Sequence, residues 1–183
     1  MVVFDSAVLL LVLDAGAKAP LDTATGLPVE RAAERIEYLI QKLSADREKI
    51  IIPTPVLSEV LVHAGRASEQ YLELLNRQSV FRIAPFDQKA AIEAAIAMKD
   101  AIARGGHRVD AANPDATKTK IKFDRQIVAV AKAEGAHTIY SDDDDVCKYA
   151  RQSDLKAYRT AELELPPEDP QSNMDFGPSD APK

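Results

Sequence analysis

Asp5 ends a run of apolar residues, Val2-Val3-Phe4, and Glu59 lies within the apolar segment Val56 to Leu61. Asp124 stands just before Ile127, Val128, Val130 and Ala131, and Ser141 is followed by four aspartates, Asp142 to Asp145. Carboxylates gathered at one place cannot all stay ionised without a cation. Oxygen-only ligands suit Mg²⁺ or Mn²⁺ rather than zinc. An ion held by Asp5, Glu59, Asp124 and one or more of Asp142 to Asp145 activates water and neutralises a phosphodiester, which is nuclease chemistry. The plain alternatives are a helix cap at Asp5 or Asp124, a solvated Glu59 and an acidic surface loop at Asp142–Asp145. A cap and a ligand are compatible roles for one carboxylate.

Convergence requires particular elements. Val2 to Phe4 reads as a first strand, and the apolar helix after it runs to about Leu13. A loop with Gly16, Pro20, Gly26 and Pro28 leads to a helix from about Val29 to Ala45, where Val29, Ala33, Ile36, Leu39, Ile40 and Leu43 keep helical period. Lys49 to Pro53 is an Ile-rich buried strand. Thr54 and Pro55 open a helix as cap and first residue, with Gly65 as its stop. A helix over Ser68 to Arg77, a strand over Val80 to Ala84 and an Ala-rich helix from Asp87 to Gly105-Gly106 follow. Gly106 to Thr119 has no period and reads as a loop containing His107, Arg108 and Lys118. Asp124 then caps a helix that stops at Gly135. His137 to Tyr140 is a strand, a helix follows near Val146 to Gln152, and a last strand lies near Leu155 to Tyr158.

Strands that alternate with helices imply an α/β fold with a mostly parallel sheet covered on both faces. In such sheets sites lie beyond the carboxyl ends of the strands. Asp5 and the Asp142–Asp145 run sit at such ends. Glu59 and Asp124, in the first turns of their helices, can face the same edge.

Composition sets outer bounds. With 183 residues, 46% of them hydrophobic, the chain reads as one domain over residues 1–165 with a real core. Pro166 to Lys183, rich in Pro, Asp, Ser and Asn, reads as an acidic disordered tail. The single cysteine, Cys147, excludes an internal disulfide and a Cys-based zinc site, and it reads as a buried thiol. Ala7 to Leu13 is too short to span a bilayer, which needs about 20 apolar residues, and it lacks the basic flank of a signal peptide. The cytosol is the simplest compartment. The net charge of −6 argues against a nucleic-acid coat protein. Six of the acids fall within Ala161 to Lys183 against one base, so the body is nearly neutral and local basic patches still count. Lys118, Lys120, Lys122 and Arg125 form one such strip around Asp124. It is either a solvated strip or, through Lys120, Lys122 and Arg125, a set of phosphate contacts to RNA.

Four patches in order carry a family resemblance. They are Val2-Val3-Phe4-Asp5 with Ser6-Ala7-Val8-Leu9, Thr54-Pro55-Val56-Leu57-Ser58-Glu59-Val60, Phe123-Asp124-Arg125-Gln126-Ile127-Val128-Ala129, and Ile139-Tyr140-Ser141-Asp142-Asp143-Asp144-Asp145. Together they resemble the PIN domain family of metal-dependent ribonucleases, and within it the VapC-type toxins of toxin–antitoxin pairs. The resemblance implies a three-layer sandwich, a central mostly parallel sheet flanked by helices. It implies endonucleolytic cleavage of RNA with Mg²⁺ or Mn²⁺ at Asp5, Glu59, Asp124 and Asp143, a cognate antitoxin and a homodimer. One departure is Ala7, where the family often has Asn or Ser; this loses a polar partner but no ligand.

Within the aspartate run, the family motif places the acid two residues after the hydroxyl residue, which selects Asp143. Strand alternation puts Ser141 on the same face. Asp145 either reaches the ion through water or caps the helix near Val146, while Asp142 and Asp144 point elsewhere. Ser6, Ser58 and Ser141 are expected to donate hydrogen bonds to the acids; none has a histidine in its motif to make it a nucleophile. The competing functions are an RNA-binding or regulatory module on the same fold with little or no catalysis, and a phosphotransfer enzyme. The second fits poorly, because a haloacid dehalogenase-type site wants an Asp at the position of Ala7, and a receiver domain wants a paired acid near the start and a lysine at a later strand end.

Overall fold

In the computed structural model, which describes residues 1–106 and 117–167, five parallel strands form one sheet in the order β3-β2-β1-β4-β5. The elements are β1 (Val2–Phe4), α1 (Ser6–Leu13), α2 (Ala32–Ala45), β2 (Ile50–Pro53), α3 (Thr54–Ala64), α4 (Ser68–Arg77), β3 (Phe81–Ala84), α5 (Gln88–Arg104), α6 (Lys118–Ala133), β4 (Thr138–Tyr140), α7 (Asp144–Gln152) and β5 (Lys156–Tyr158). Single 3₁₀ turns cover Gly65–Ala67 and Thr160–Glu162. Helices flank the sheet, giving the α/β sandwich expected from the alternation of elements.

The central strand explains the composition of the N-terminus. β1 pairs with β2 through Val2–Ile50 and Val3–Ile51, and with β4 through Val2–Thr138, Val3–Ile139 and Phe4–Tyr140. A parallel strand with neighbours on both edges and helices on both faces leaves no side chain for water, hence an unbroken apolar run. Val2, Val3, Phe4, Ile50, Ile51, Ile52 and Ile139 are all buried, as are Val8 and Leu9 of α1.

The strand order also locates the site. The chain moves outward from β1 through β2 to β3, then crosses back to lay β4 on the other edge of β1. Right-handed crossovers therefore send the helices after β1 and β4 to opposite faces. A crevice opens at that reversal, beyond the carboxyl ends of β1 and β4. The amide of Asp5 still donates to the Tyr140 carbonyl at 3.0 Å, so the pairing continues to the point where the chains diverge.

Some sequence expectations shift. α2 starts at Ala32 rather than near Val29. Thr54 does not cap α3: Pro53 occupies the cap position, and the Thr54 hydroxyl instead accepts the Phe86 amide at 3.0 Å. The largest change is in α6, which begins at Lys118 behind a Thr117 cap whose hydroxyl accepts the Lys120 amide at 3.1 Å. Asp124 is thus an interior residue two turns into a helix, not its N-cap. Lys118, expected in the loop, is the first residue of this helix, which also carries Lys120 and Lys122. Glu59 likewise lies in the second turn of α3. The rest of the loop expectation, including His107 and Arg108, lies outside the described residues, as does the tail from residue 168 onward.

Asp142 and Asp144 face the C-terminal segment. Asp142 accepts the Thr160 amide at 2.9 Å and its hydroxyl at 2.6 Å, while the Asp142 carbonyl accepts from Arg159 at 3.0 Å. Asp144 pairs with the Arg159 guanidinium. Thr160 is buried, so its two donors depend on Asp142. Asp142→Ala is expected to destabilise the protein by about 2 kcal/mol or more, the cost of leaving buried donors unmet. Asp144→Ala, at an exposed ion pair, should cost under about 1 kcal/mol. Urea denaturation of the two variants measures the difference, and equal midpoints would contradict this assignment.

Candidate active site

The site is built from four elements. Asp5 is the N-cap of α1, and one of its oxygens, Oδ1, accepts the Ser6 amide at 2.7 Å. Its other oxygen, Oδ2, accepts the Ser141 hydroxyl at 2.6 Å. Ser141 is fully buried, and its Oγ also accepts the Asp143 amide at 3.0 Å. One hydroxyl therefore ties the end of β1 to the turn after β4. Asp143 is the N-cap of α7, where Oδ1 accepts the amides of Asp145 at 2.8 Å and Val146 at 3.2 Å. The cap of α7 is thus Asp143 and not Asp145. With Asp5 and Asp143 both as caps, the positive ends of two helix dipoles face the acids.

α6 supplies Asp124 from the opposite side, and one oxygen from each of Asp124, Asp143 and Asp145 lies within 4.8 Å of the others. Asp5, Asp124 and Asp145 are buried. The Lys120 ammonium, one turn before Asp124, reaches one oxygen of each of these three residues: 2.7 Å to Asp124, 3.0 Å to Asp143 and 3.2 Å to Asp145. A cleft of about 390 Å³ opens over the cluster, lined by Asp5, Asp124, Asp143 and Lys120 with Glu59 of α3; Val62, Phe123 and Ile127 form its apolar wall. Glu59 is exposed at this mouth, and its charge acts on Asp5.

The serines separate into different roles. Ser141 is the hydrogen-bonding partner of the acids that its position suggests. Ser6 gives Asp5 its backbone amide, and Ser58 is exposed on the cleft wall. Arg125 does not belong to the exposed basic strip. One residue past Asp124, it is turned about 100° around the helix, and it is 5% exposed, with its guanidinium 4.9 Å over the Tyr149 ring and 3.4 Å from the Met98 sulfur. It packs α6 against α5 and α7 instead of facing phosphate. Lys122 is exposed on α6 outside the cleft lining. His63 lies 3.6 Å from Asp14 and His137 pairs with Glu48, both away from the acids. Cys147 is buried, as expected, and burial pushes its thiol up to about 11.

The PIN domain profile matches residues 28–152. The chain belongs to the PIN domain family. The matched span contains Glu59, Asp124, Asp143 and Asp145; Asp5 precedes it and is brought beside Ser141 and Asp143 by the β1–β4 pairing. Three solved structures show the same fold at low identity. The FitAB complex bound to the IR36 DNA fragment has a chain 17% identical, with a TM-score of 0.57 over 90% of this chain and 98% of that one. VapBC2 from Rickettsia felis, bound to a DNA fragment from its promoter, gives 15% identity and a TM-score of 0.55 over 87% and 98%. DNA-bound VapBC from Salmonella typhimurium gives 13% and 0.53 over 87% and 97%. No curated protein matches the chain.

The acids of this PIN domain bear the electrostatic strain of convergence. Burial raises the Asp5 carboxyl to about 6, against the hydrogen bonds from Ser141 and Ser6, and the charges of Asp143 and Glu59 add to the rise. Asp124 is also raised to about 6; burial and the charges of Asp143 and Asp5 outweigh the hydrogen bond from Lys120. Burial works against the Lys120 charge, but its bonds to Asp124 and Asp143 more than compensate and raise the ammonium above its usual range. Because Asp5 and Asp124 hold protons more tightly when folded, the native state is the more protonated one between the ordinary value of 3.8 and about 6. Their contribution to stability is therefore greatest at low pH and is lost as pH rises through that window. In metal-chelating buffer, the wild type should lose melting temperature between pH 4.5 and 6.5 relative to the Asp5→Asn, Asp124→Asn double variant. Parallel pH profiles for the two proteins would overturn the electrostatic account.

Proposed function

We propose that this PIN domain is a metal-dependent endoribonuclease, cleaving RNA phosphodiester bonds with Mg²⁺ or Mn²⁺. The observation that carries the reading is the convergence of Asp124, Asp143 and Asp145 oxygens within 4.8 Å, with Asp124 and Asp143 lining an open cleft that Asp5 and Glu59 also line, and Asp145 buried behind them. The donor set is oxygen only, which fits Mg²⁺ or Mn²⁺, and the position of the Lys120 ammonium among the three carboxylates supports a cation there. Asp5, Glu59, Asp124 and Asp143 would hold the ion, with Asp145 behind them. When bound, the ion supplies charge neutralisation and a more acidic water. Ser141 fixes the Asp5 carboxylate and the Asp143 backbone relative to each other. The apolar wall of Val62, Phe123 and Ile127 offers a face for a base or sugar next to the phosphate, and Lys122 stands on α6 for a neighbouring phosphate.

The FitAB and VapBC likenesses support a further assignment, that the protein is the toxin of a toxin–antitoxin pair and pairs with a cognate antitoxin. We assign it to the cytosol; no helix among the described residues is long and apolar enough to cross a membrane. We also assign it a homodimeric state, which light scattering would report as twice the 20.0 kDa chain.

Incubation with structured RNA and Mn²⁺ or Mg²⁺ is expected to give discrete internal cuts that EDTA abolishes. Asp124→Asn and Asp143→Asn should each lower the rate at least about 100-fold with the fold intact by circular dichroism. Asp145→Asn should have an intermediate effect and Asp144→Asn little. Wild-type protein that binds RNA but leaves it uncut under these conditions would favour a non-catalytic RNA-binding role on the same fold.

A further inference from the structure

The sequence separates Lys120 from Asp124 by one helical turn, and the structure places its ammonium at the point the clustered carboxylates share. Its three N–H groups match three acceptors, one oxygen each from Asp124, Asp143 and Asp145, at 2.7, 3.0 and 3.2 Å. These three residues also form the cluster with metal-ligand spacing. A divalent ion binds carboxylate oxygens at about 2.0–2.1 Å. An ion and an ammonium sharing these three carboxylates would lie only a few ångströms apart, so the two cations repel and compete for the same acceptors.

We infer that Lys120 is a built-in competitor for the metal, a tethered cation that closes the carboxylate cluster and must leave it when a divalent ion binds. This rests on the metal-dependent reading above. The side chain is free to leave, because it is 37% exposed and opens into the cleft through four methylenes. The backbone anchor of Lys120 in α6 stays in place, so release needs only rotation about side-chain bonds. Once out, the ammonium stands in the cleft mouth, where a substrate phosphate offers it a new partner. Lys120 thereby makes the metal-free cluster stable and sets a threshold of divalent ion below which the site stays shut.

The test is calorimetric titration of the full-length protein with Mn²⁺, paired with melting temperature in chelator and in Mn²⁺. The variants are Lys120→Met, which keeps the stem and removes the charge, and Asp124→Asn. Lys120→Met is expected to bind Mn²⁺ roughly tenfold or more tightly than wild type, since each charged hydrogen bond displaced is worth about that factor. It should also melt lower in chelator and gain more on Mn²⁺ addition. Equal affinity in wild type and Lys120→Met, both abolished by Asp124→Asn, would overturn the competitor role and leave the metal site standing. Weaker binding in Lys120→Met would also overturn it and make Lys120 a residue that positions the carboxylates. Absence of Mn²⁺ binding in wild type and Lys120→Met alike would overturn the metal-dependent reading and this inference with it.

Discussion

Repulsion among carboxylates at one edge of the sheet is the constraint around which this structure is arranged. Two unit charges within 4.8 Å repel by roughly 3 kcal/mol at an effective dielectric constant near 20, and here Asp5 and Glu59 add to a cluster of three. Part of the offset is local: Asp5 and Asp143 each cap the helix that follows them, and Lys120 lies one turn before Asp124. The rest comes from elsewhere in the chain: β1 and β4 pair and are buried, Ser141 spans from Asp5 to Asp143, and Lys120 also reaches Asp143 and Asp145. Asp5 and Asp124 are nevertheless raised, by burial first and by the neighbouring carboxylates after it. A surplus of carboxylates over nearby positive charge is what the proposed cation site requires.

The parts of the site encoded at strand ends were legible in the sequence. Asp5 and Ser141–Asp143 follow short apolar runs, and the period of a strand fixes which face of the sheet each side chain points to. The helix-borne acids were legible as types but not as positions. Asp124 resembles a cap because Lys118 to Lys122 carries only Ile121 as an apolar residue, and a basic run with one buried position has no visible helical period. Thr117 was the missed signal: it caps α6, and starting the helix there puts Lys120 and Asp124 at i and i+4, the spacing of an ion pair. The partners of Asp142 and Asp144 lie at Arg159 and Thr160, a non-local arrangement that no local pattern indicates.

α6 shows how one helix serves two surfaces. Lys120 and Asp124 form a stripe toward the cleft, with Ile127 continuing it. Arg125 lies a third of a turn away and stacks on Tyr149 between α5 and α7. A basic residue next to a clustered acid in sequence is thus a packing element in space. Its burial is tolerable because the guanidinium spreads its charge over a plane that an aromatic face can accept. The stack also helps set the rotation of α6, so it bears on how Asp124 presents its carboxylate to Asp143.

The site cannot form before the sheet does. Asp5, Glu59, Asp124 and Asp143 come from segments separated by tens of residues, and only the order β2-β1-β4 brings their carriers together. Any partly folded state that gathers the acids without the buried core would bear their repulsion without the compensating strand pairs and helix ends. The acids therefore favour late assembly, after β1 has found both neighbours. This is why β1 and α1 carry so dense an apolar run beside the first acid: Val2, Val3, Phe4, Val8 and Leu9 supply, within nine residues of sequence, burial that holds Asp5 where its charge alone would not stay. The apolar N-terminus and the acidic edge are two halves of one requirement, since the cluster is stable only to the extent that the central strand is.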